Sequence, residues 1–334
     1  MLIMPLYHLR RLVMIPQGSI TFQIYLLTGR AAGTESEITV GYINQGKNLK
    51  YIAGMLFHEG RYEIKELGRC RFWQQAQAAE ALAQQADLVI VERNTVLSWK
   101  PRQGFWMISP TGVRMVLTMD PTQPWEKLAR TFKKHERNIR RFLRAGYTYE
   151  ISTDKADFDF FYERMYLPFA NNRHKQNPII APYHDLYGKF KEGFLLFILD
   201  QEGKRIAGDL DYAMGEVFYP LSCGILDGDQ QYLDEGALSA LYYYALQVSH
   251  QKGYRRSDVC DTSPFINDGI YQYKRRWGYE PQLELWNTRE WLFWVPNGSK
   301  AAIRWLEENP VVEEFAQHSR QPAPAGLHPQ TTGD

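Results

Sequence analysis

The stretch "DGIYQYKRRWGYEP", Asp268 to Pro281, gathers Tyr271, Tyr273, Lys274, Arg275 and Arg276 on one short segment and ends on Gly278 followed by Tyr279. A lysine placed there can stabilise a developing oxyanion during acyl transfer, and Tyr273 or Tyr271 can hand a proton to a leaving group. The same residues also describe a solvated basic helix with its aromatic rings in a core. Just upstream, Asp258 and Asp261 sit in "SDVCD", a strand-like stretch. A carboxylate there can hold an amine nucleophile or take its proton, and Asp in that setting equally forms turns.

A second cluster lies in "WEKLARTFKKHERNIRRFLRA", which ends at Ala145. Helical spacing places Leu128, Phe132, Ile139, Phe142 and Leu143 on one face and a set of arginines and lysines largely off it. The forked guanidinium groups of Arg137 and Arg140 can orient an anionic substrate, whereas Glu126 with Arg130 and Glu136 with Arg140 read as ordinary surface pairs one helical turn apart. A third stretch, "DGDQQYLDEGA", occupies the strand-to-helix position where free N–H groups cradle phosphate, with Gln231 and Gly236 as donor-binding candidates. Its acids, Asp227, Asp229, Asp234 and Glu235, argue against a pyrophosphate there.

Other chemistries lose support. The sequence has no G-x-x-x-x-G-K-[ST], no G-x-S-x-G, no H-E-x-x-H, and no G-x-G-x-x-G after a strand. The 8 histidines show no metal-ligand spacing, and no metal is expected. Cys70, Cys223 and Cys260 are odd in number and widely spaced, which suits reduced thiols in a cytoplasmic compartment. Arg10 and Arg11 interrupt the N-terminal segment where a signal peptide needs an apolar run, and the longest apolar runs are strand-sized, so neither export by that route nor a membrane span is expected.

The elements that must position these groups follow from the patterning. "SITFQIYLL", "EITVGYI" and "NLKYIAGMLF" read as an antiparallel meander, "RFWQQAQAAEALAQQA" as a helix, and "DLVIVERN" as a strand buried on both faces. "GFWMISPTGVRMVLTMD" supplies two more strands, and a long helix runs from Pro124 to about Ala145, closed by Gly146. After "YTYEIS" come a helix over 156–166, three consecutive strands ending at "EVFYPLSCGIL", a helix through Leu238–Val248 stopped near Gly253, the "SDVCD" strand and the Lys274 helix. "QLELW", "EWLFWV" and "SKAAIRWLEENP" close the chain before a Pro- and Gly-rich tail expected to be disordered.

The whole is an α/β (α+β) chain of 334 residues with 44% apolar content and a net charge of +1, so no global field draws it to nucleic acid or membrane. The expected division is 1–145, 146–316 and a tail over 317–334, giving two similarly built halves, each a mixed, mostly antiparallel sheet flanked by helices.

The order of these parts resembles the acyltransferases of the GNAT superfamily, in particular its Fem-type branch, in which two GNAT-like subdomains are fused. "RNIRRFLRAGYTYEIS" resembles that branch's Arg-rich helix, Gly and strand; "GALSALYYYALQVSHQKGYRRSDVCD" resembles its long helix, Gly and Asp-bearing strand; "YKRRWGY" resembles its aromatic-Lys-x-x-aromatic-Gly signature. The resemblance implies that Lys274 lies at the transfer centre and that arginines of the basic helix contact the acceptor's acidic groups. It implies acyl transfer from a coenzyme A thioester or from aminoacyl-tRNA to an amine on a small molecule, a peptide or a cell-envelope precursor. Two departures bear on the donor. "QYLDEGA" lacks the spacing of the [RQ]-x-x-G-x-[GA] loop that binds coenzyme A pyrophosphate, and the chain has no heptad arm of the kind tRNA-dependent members often carry. From another class, the sequence also fits a GNAT-fold protein that binds a polyanion or a partner protein through its basic helix without chemistry.

Overall fold

The computed structural model describes residues 21–32, 36–45, 48–94, 99–173, 180–282 and 289–312. In chain order the elements are β1 (Thr21–Ala31), β2 (Glu37–Asn44), α1 (Leu49–Leu56), β3 (Phe57–Arg71), α2 (Gln75–Ala83), β4 (Leu88–Asn94), β5 (Phe105–Pro110), β6 (Val113–Thr118), α3 (Trp125–Ala129), α4 (Glu136–Arg144) and β7 (Thr148–Ser152). There follow α5 (Lys155–Phe160), a π-helical segment (Phe161–Tyr166), α6 (Leu167–Arg173), α7 (Tyr183–Phe190), β8 (Gly193–Leu199), β9 (Arg205–Met214), β10 (Val217–Ile225), α8 (Gln230–Glu235), α9 (Ala237–Gln251), β11 (Arg256–Thr262), α10 (Gly269–Arg276), β12 (Glu280–Gln282), β13 (Arg289–Val295) and α11 (Lys300–Glu308).

The chain divides into two compact units. One comprises 1–113, 263–271 and 283–334; the other comprises 114–262 and 272–282. This differs from the expected boundary at 145/146, because β6 and the basic segment belong with the elements that follow them. The two strands of "GFWMISPTGVRMVLTMD" are adjacent in sequence, yet β5 enters one sheet and β6 the other. The Pro- and Gly-rich tail and most of "QLELW" lie outside the described residues.

The first unit is built on a mixed sheet of order β3-β1-β2-β4-β13-β5. Strand β4 is central, as its continuous apolar run requires: it pairs parallel with β2 over Val40–Ile43 and Leu88–Val91, and antiparallel with β13. Both faces are covered, with Leu88 and Ile90 in one core and Val89 and Val91 in another. Arg93 donates to Glu290 across the β4–β13 ladder at 2.7 Å, and both side chains are buried. "NLKYIAGMLF", expected as a strand, is instead the helix α1. Ile52, Ala53 and Leu56 recur at helical spacing and are fully buried on one face, which outweighs the strand-like composition.

The second unit is built on a sheet of order β12-β6-β11-β10-β9-β8-β7. Its main core lies between this sheet and α9, where Leu196, Ile198, Ala207, Phe218 and Ile225 meet Ala240, Leu241 and Ala245. On the opposite face, Leu195, Phe197 and Leu210 pack against Phe158, Phe161, Met165 and Phe190. Each unit thus carries one mixed sheet with helices, in agreement with the fold class expected.

The helix expected from Pro124 to Ala145 is broken. α3 ends at Ala129, where Thr131 N and Phe132 N turn to the carbonyls of Leu128 and Ala129 and Phe132 leaves helical geometry at ψ 35; the Thr131 hydroxyl also donates to the Leu128 carbonyl at 2.7 Å. The break resets the periodicity, so Phe142 is fully buried while Leu143, expected on the same face, is 48% exposed. The helix expected over 156–166 extends through α5, the π-helical segment and α6. "DGDQQYLDEGA", expected as a loop, contains α8, capped by the Asp229 carboxylate accepting from Gln231 N at 2.9 Å.

Candidate functional site

The Lys274 helix is fixed at both ends. Asp268 Oδ1 accepts from Ile270 N and Tyr271 N at 2.9 and 3.0 Å, which satisfies two of the amides that a helix leaves open at its start. At the far end Tyr279 N donates to Lys274 O and Gly278 N to Arg275 O, with Gly278 at φ +87, a left-handed closure that glycine makes without strain. The tyrosine, lysine and tryptophan of the "YKRRWG" stretch then point inward. Trp277 stacks on His135 at 4.2 Å, Tyr273 meets His135 and Tyr242 edge-on, and its hydroxyl lies 3.4 Å from Ser239 Oγ. Burial among these rings lowers the His135 pKa to about 4 and keeps the ring neutral. Arg275 turns outward to pair with Glu280, and Arg276 is exposed.

This packing drives Lys274 against the end of β11. Its Nζ lies 2.8 Å from Val259 O, 3.2 Å from Asp261 O and 3.4 Å from Cys260 O. An ammonium has three N–H bonds, and here all three face backbone carbonyls. Lys274 therefore clamps the strand end, where Cys260 adopts φ +61, a conformation uncommon for a residue with a side chain. Desolvation lowers the lysine pKa to about 8. Asp258 supports the same turn: it accepts from Cys260 N at 2.9 Å and from Arg114 Nε at 2.8 Å, while Asp261 projects into solvent, 3.9 Å from Arg114.

What the clamp holds is one side of an opening. β10 and β11 run parallel but pair only at Val217↔Arg256 and Phe218↔Ser257. Beyond that point they part, and β10 carries a bulge between Pro220 and Ser222 that takes Leu221 out of register with β9. The parallel pair in the other unit, β2 with β4, stays in register over four positions. Cys223 on β10 lies within electrostatic reach of Lys274.

Cys223 in turn stands opposite Asp209 in the β9–β10 register. Asp209 and Asp211 alternate along β9 and therefore share a face, the one toward α9. Both are buried, and Asp209 Oδ1 and both carboxylate oxygens of Asp211 lack a hydrogen-bond partner. Desolvation raises the Asp209 pKa to about 8 and that of Asp211 well above the carboxylate range. These two residues escaped sequence reading, although "GDLDYAM" places acids two apart inside an apolar strand, which is a legible sign.

The remaining expected residues fall elsewhere. Arg137 and Arg140 line a surface recess with Glu136, Arg141 and Arg144. Arg140 also pairs with Glu136, as expected, and Arg141 donates to the Asp234 carbonyl at the end of α8. Gln231 is occupied within α8, its side chain donating to Glu235 at 2.8 Å, and Gly236 is a buried left-handed residue between α8 and α9. Tyr271 is buried and falls in the first unit. No group of acidic, His or Cys side chains among the described residues could hold a metal ion.

The family model described as an acetyltransferase (GNAT) domain matches residues 129–275. Residues 129–275 are similar to a GNAT domain. The splayed strands, the bulge and the clamp at Lys274 all fall within it, and the GNAT resemblance read from the sequence is borne out. No curated protein matches the sequence. Among solved structures, similarity extends to FemX (12% identity, 80% of this chain and 83% of that one, TM-score 0.42). It extends also to L-PGS from Bacillus licheniformis (9% identity, 84% and 86%, TM-score 0.35) and to a GCN5-related N-acetyltransferase from Sphaerobacter thermophilus (11% identity, 79% and 75%, TM-score 0.35). Within the matched residues the arrangement can do one thing readily: strands that part expose unpaired N–H and C=O groups along an edge, and an extended amide-bearing chain can bind such an edge as an added strand. No helix among the described residues is long and apolar enough to cross a membrane.

Proposed function

We propose that the protein is an N-acyltransferase that moves an acyl group from an activated ester or thioester to an amine, with the reacting carbonyl seated where β10 and β11 part. The observation that carries this reading is the parallel strand pair that stops after two positions inside the GNAT-like residues 129–275. The donor's arm lies along the opened edge, and the bulge at Leu221 frees a backbone position beside its carbonyl. Lys274 acts as a positioning residue, holding the Val259–Asp261 backbone against the opening. Tyr273, on the same helix, is the group assigned to protonate the leaving atom.

The arginine recess favours a Fem-type donor, an aminoacyl ester on tRNA, over coenzyme A. Arg137, Arg140, Arg141 and Arg144 offer a phosphate-binding surface, while α8 fills the place of a pyrophosphate loop and presents Asp229 at its start. The acceptor is a small-molecule, peptide or envelope-precursor amine.

The test is mass-spectrometric detection of amide product from a panel of primary amines, in parallel arms supplied with acyl-coenzyme A or charged tRNA. Product in either arm that falls about 100-fold or more with Lys274→Ala supports the reading. Product that is unchanged in that variant removes the lysine from the reaction. Salt-dependent polyanion binding with no product in any arm favours a binding protein without chemistry.

A further inference from the structure

Two buried carboxyls in the second unit have no cation beside them among the described residues. Asp209 and Asp211 lie on one face of β9; opposite them β8 offers Leu196 and Phe194, and β10 offers Cys223 and Pro220. Tyr242 on α9 lies within electrostatic reach of Asp209, and Tyr279 within reach of both acids and of Asp258; its hydroxyl is 3.0 Å from Ser257 Oγ on β11. Among the described residues, the aids to the charged form are the amides of Leu210 and Ser222 at Asp209, and the second belongs to the β10 bulge. Leaving such acids buried without partners is a cost that leucine at either place would not carry.

The unpartnered oxygens are Asp209 Oδ1, Asp211 Oδ1 and Asp211 Oδ2, and a primary ammonium group presents three N–H donors. Their place matters as much as their chemistry. Asp209 faces Cys223 across a strand pair, and Cys223 lies on the strand that borders the opening, within electrostatic reach of Lys274.

We propose that Asp209 and Asp211 form the seat of the acceptor amine: the pair holds its ammonium group, and Asp209 takes the proton that the nitrogen must lose before it attacks. This rests on the acyl-transfer reading above. The Asp209 carboxylate accepts one proton from R–NH3+, freeing the nitrogen lone pair. The N–C bond to the donor carbonyl forms, the bond from that carbon to the leaving sulfur or oxygen breaks, and its electron pair departs with the leaving atom. A second nitrogen proton ends on that atom, and Asp209 returns its proton to water when the amide leaves. Burial supports the role, because a carboxyl titrating near 8 is a stronger base than an ordinary aspartate.

The experiment compares the whole protein with Asp209→Asn and Asp211→Asn, which keep the shape of the side chains but cannot take up a proton, with melting curves confirming that both fold. In the arm that gives product, wild-type kcat/KM is expected to climb with pH through the region near 8. Asp209→Asn is expected to lose about 100-fold or more, together with that rise. An Asp209→Asn enzyme within threefold of wild type, with the rise intact, overturns the proposal while leaving acyl transfer standing. A second readout needs no turnover. In protein labelled with 13C at the aspartate carboxyls, the signals missing from the two variants are expected to titrate above the usual range and to move on adding n-butylammonium but not tetramethylammonium, which has no N–H. Signals indifferent to n-butylammonium sink the amine seat even where turnover is seen; signals that move in a protein yielding no product uphold the seat and reject the acyl-transfer reading.

Discussion

Arg114 Nε donates to Asp258 Oδ2 over 2.8 Å, joining neighbouring strands β6 and β11 through an ion pair whose carboxylate side is 7% exposed. The pair sets the conformation that Lys274 clamps from the other side, since Asp258 also accepts from Cys260 N. Arg114→Met strands a buried carboxylate and is expected to lower stability by about 3 kcal/mol. Arg114→Met with Asp258→Asn is expected to recover part of that loss. Urea unfolding of the two single variants and the double variant checks this, and strict additivity would show the pair to be uncoupled.

Lys274 predicts a pH dependence. Its folded pKa, lowered to about 8 by burial, lies below the 10.5 of an unfolded lysine, so between those values the unfolded chain binds more protons and stability rises with pH. Below about 8 both states are charged and the burial penalty is fully present; above 10.5 it is gone. Lys274→Met is expected to flatten this rise, worth roughly 3 kcal/mol across the window at 1.36 kcal/mol per unit. Melting temperatures of both proteins from pH 7.5 to 10.5 are the measurement, and parallel curves would contradict it.

His135 predicts a rise of the same sign on the acid side. Its ring is neutral in the fold, with a pKa near 4 against 6.5 when unfolded, so acid favours the unfolded chain, which takes up the proton first. Stability contributed by the neutral ring is present above 6.5 and lost as pH falls toward 4. His135→Phe keeps the stack on Trp277 and is expected to move the acid-unfolding midpoint downward, read by tryptophan fluorescence.

Gly224 reports on how β10 is seated. A Cβ there would lie 2.5 Å from Met165 C and Tyr166 N, backbone atoms of the π-helical segment that cannot step aside. Gly224→Ala is expected to cost about 3 kcal/mol in chemical denaturation. Gly188→Ala, where a Cβ meets nothing within 4 Å, is the control expected to stay near wild type.

The punctuation of this fold was legible because it rests on single residues with stereochemical causes. Gly146, Gly253 and Gly278 end helices as expected, and the apolar run at Leu88–Val91 announced a strand covered on both faces. What escaped was competition between local signals: helical spacing at Ile52, Ala53 and Leu56 beat strand-like composition, and a turn at Thr131–Phe132 interrupts a long amphipathic pattern. Of the candidate site, Lys274, Asp258 and Asp261 converge on one strand end, while Arg137 and Arg140 line a separate recess. Partners such as Arg114, and the facing of Asp209 onto Cys223, arise from strand register, which no local pattern encodes.

The place of β13 between β4 and β5 sets an order of events during synthesis. On the ribosome, Leu88–Asn94 and Phe105–Pro110 emerge long before Arg289–Val295, the strand that must join them. All of 114–262 is translated in that interval. The apolar margin of β4 therefore waits unpaired through most of translation, which makes the nascent chain, rather than the finished protein, the form most in need of a chaperone.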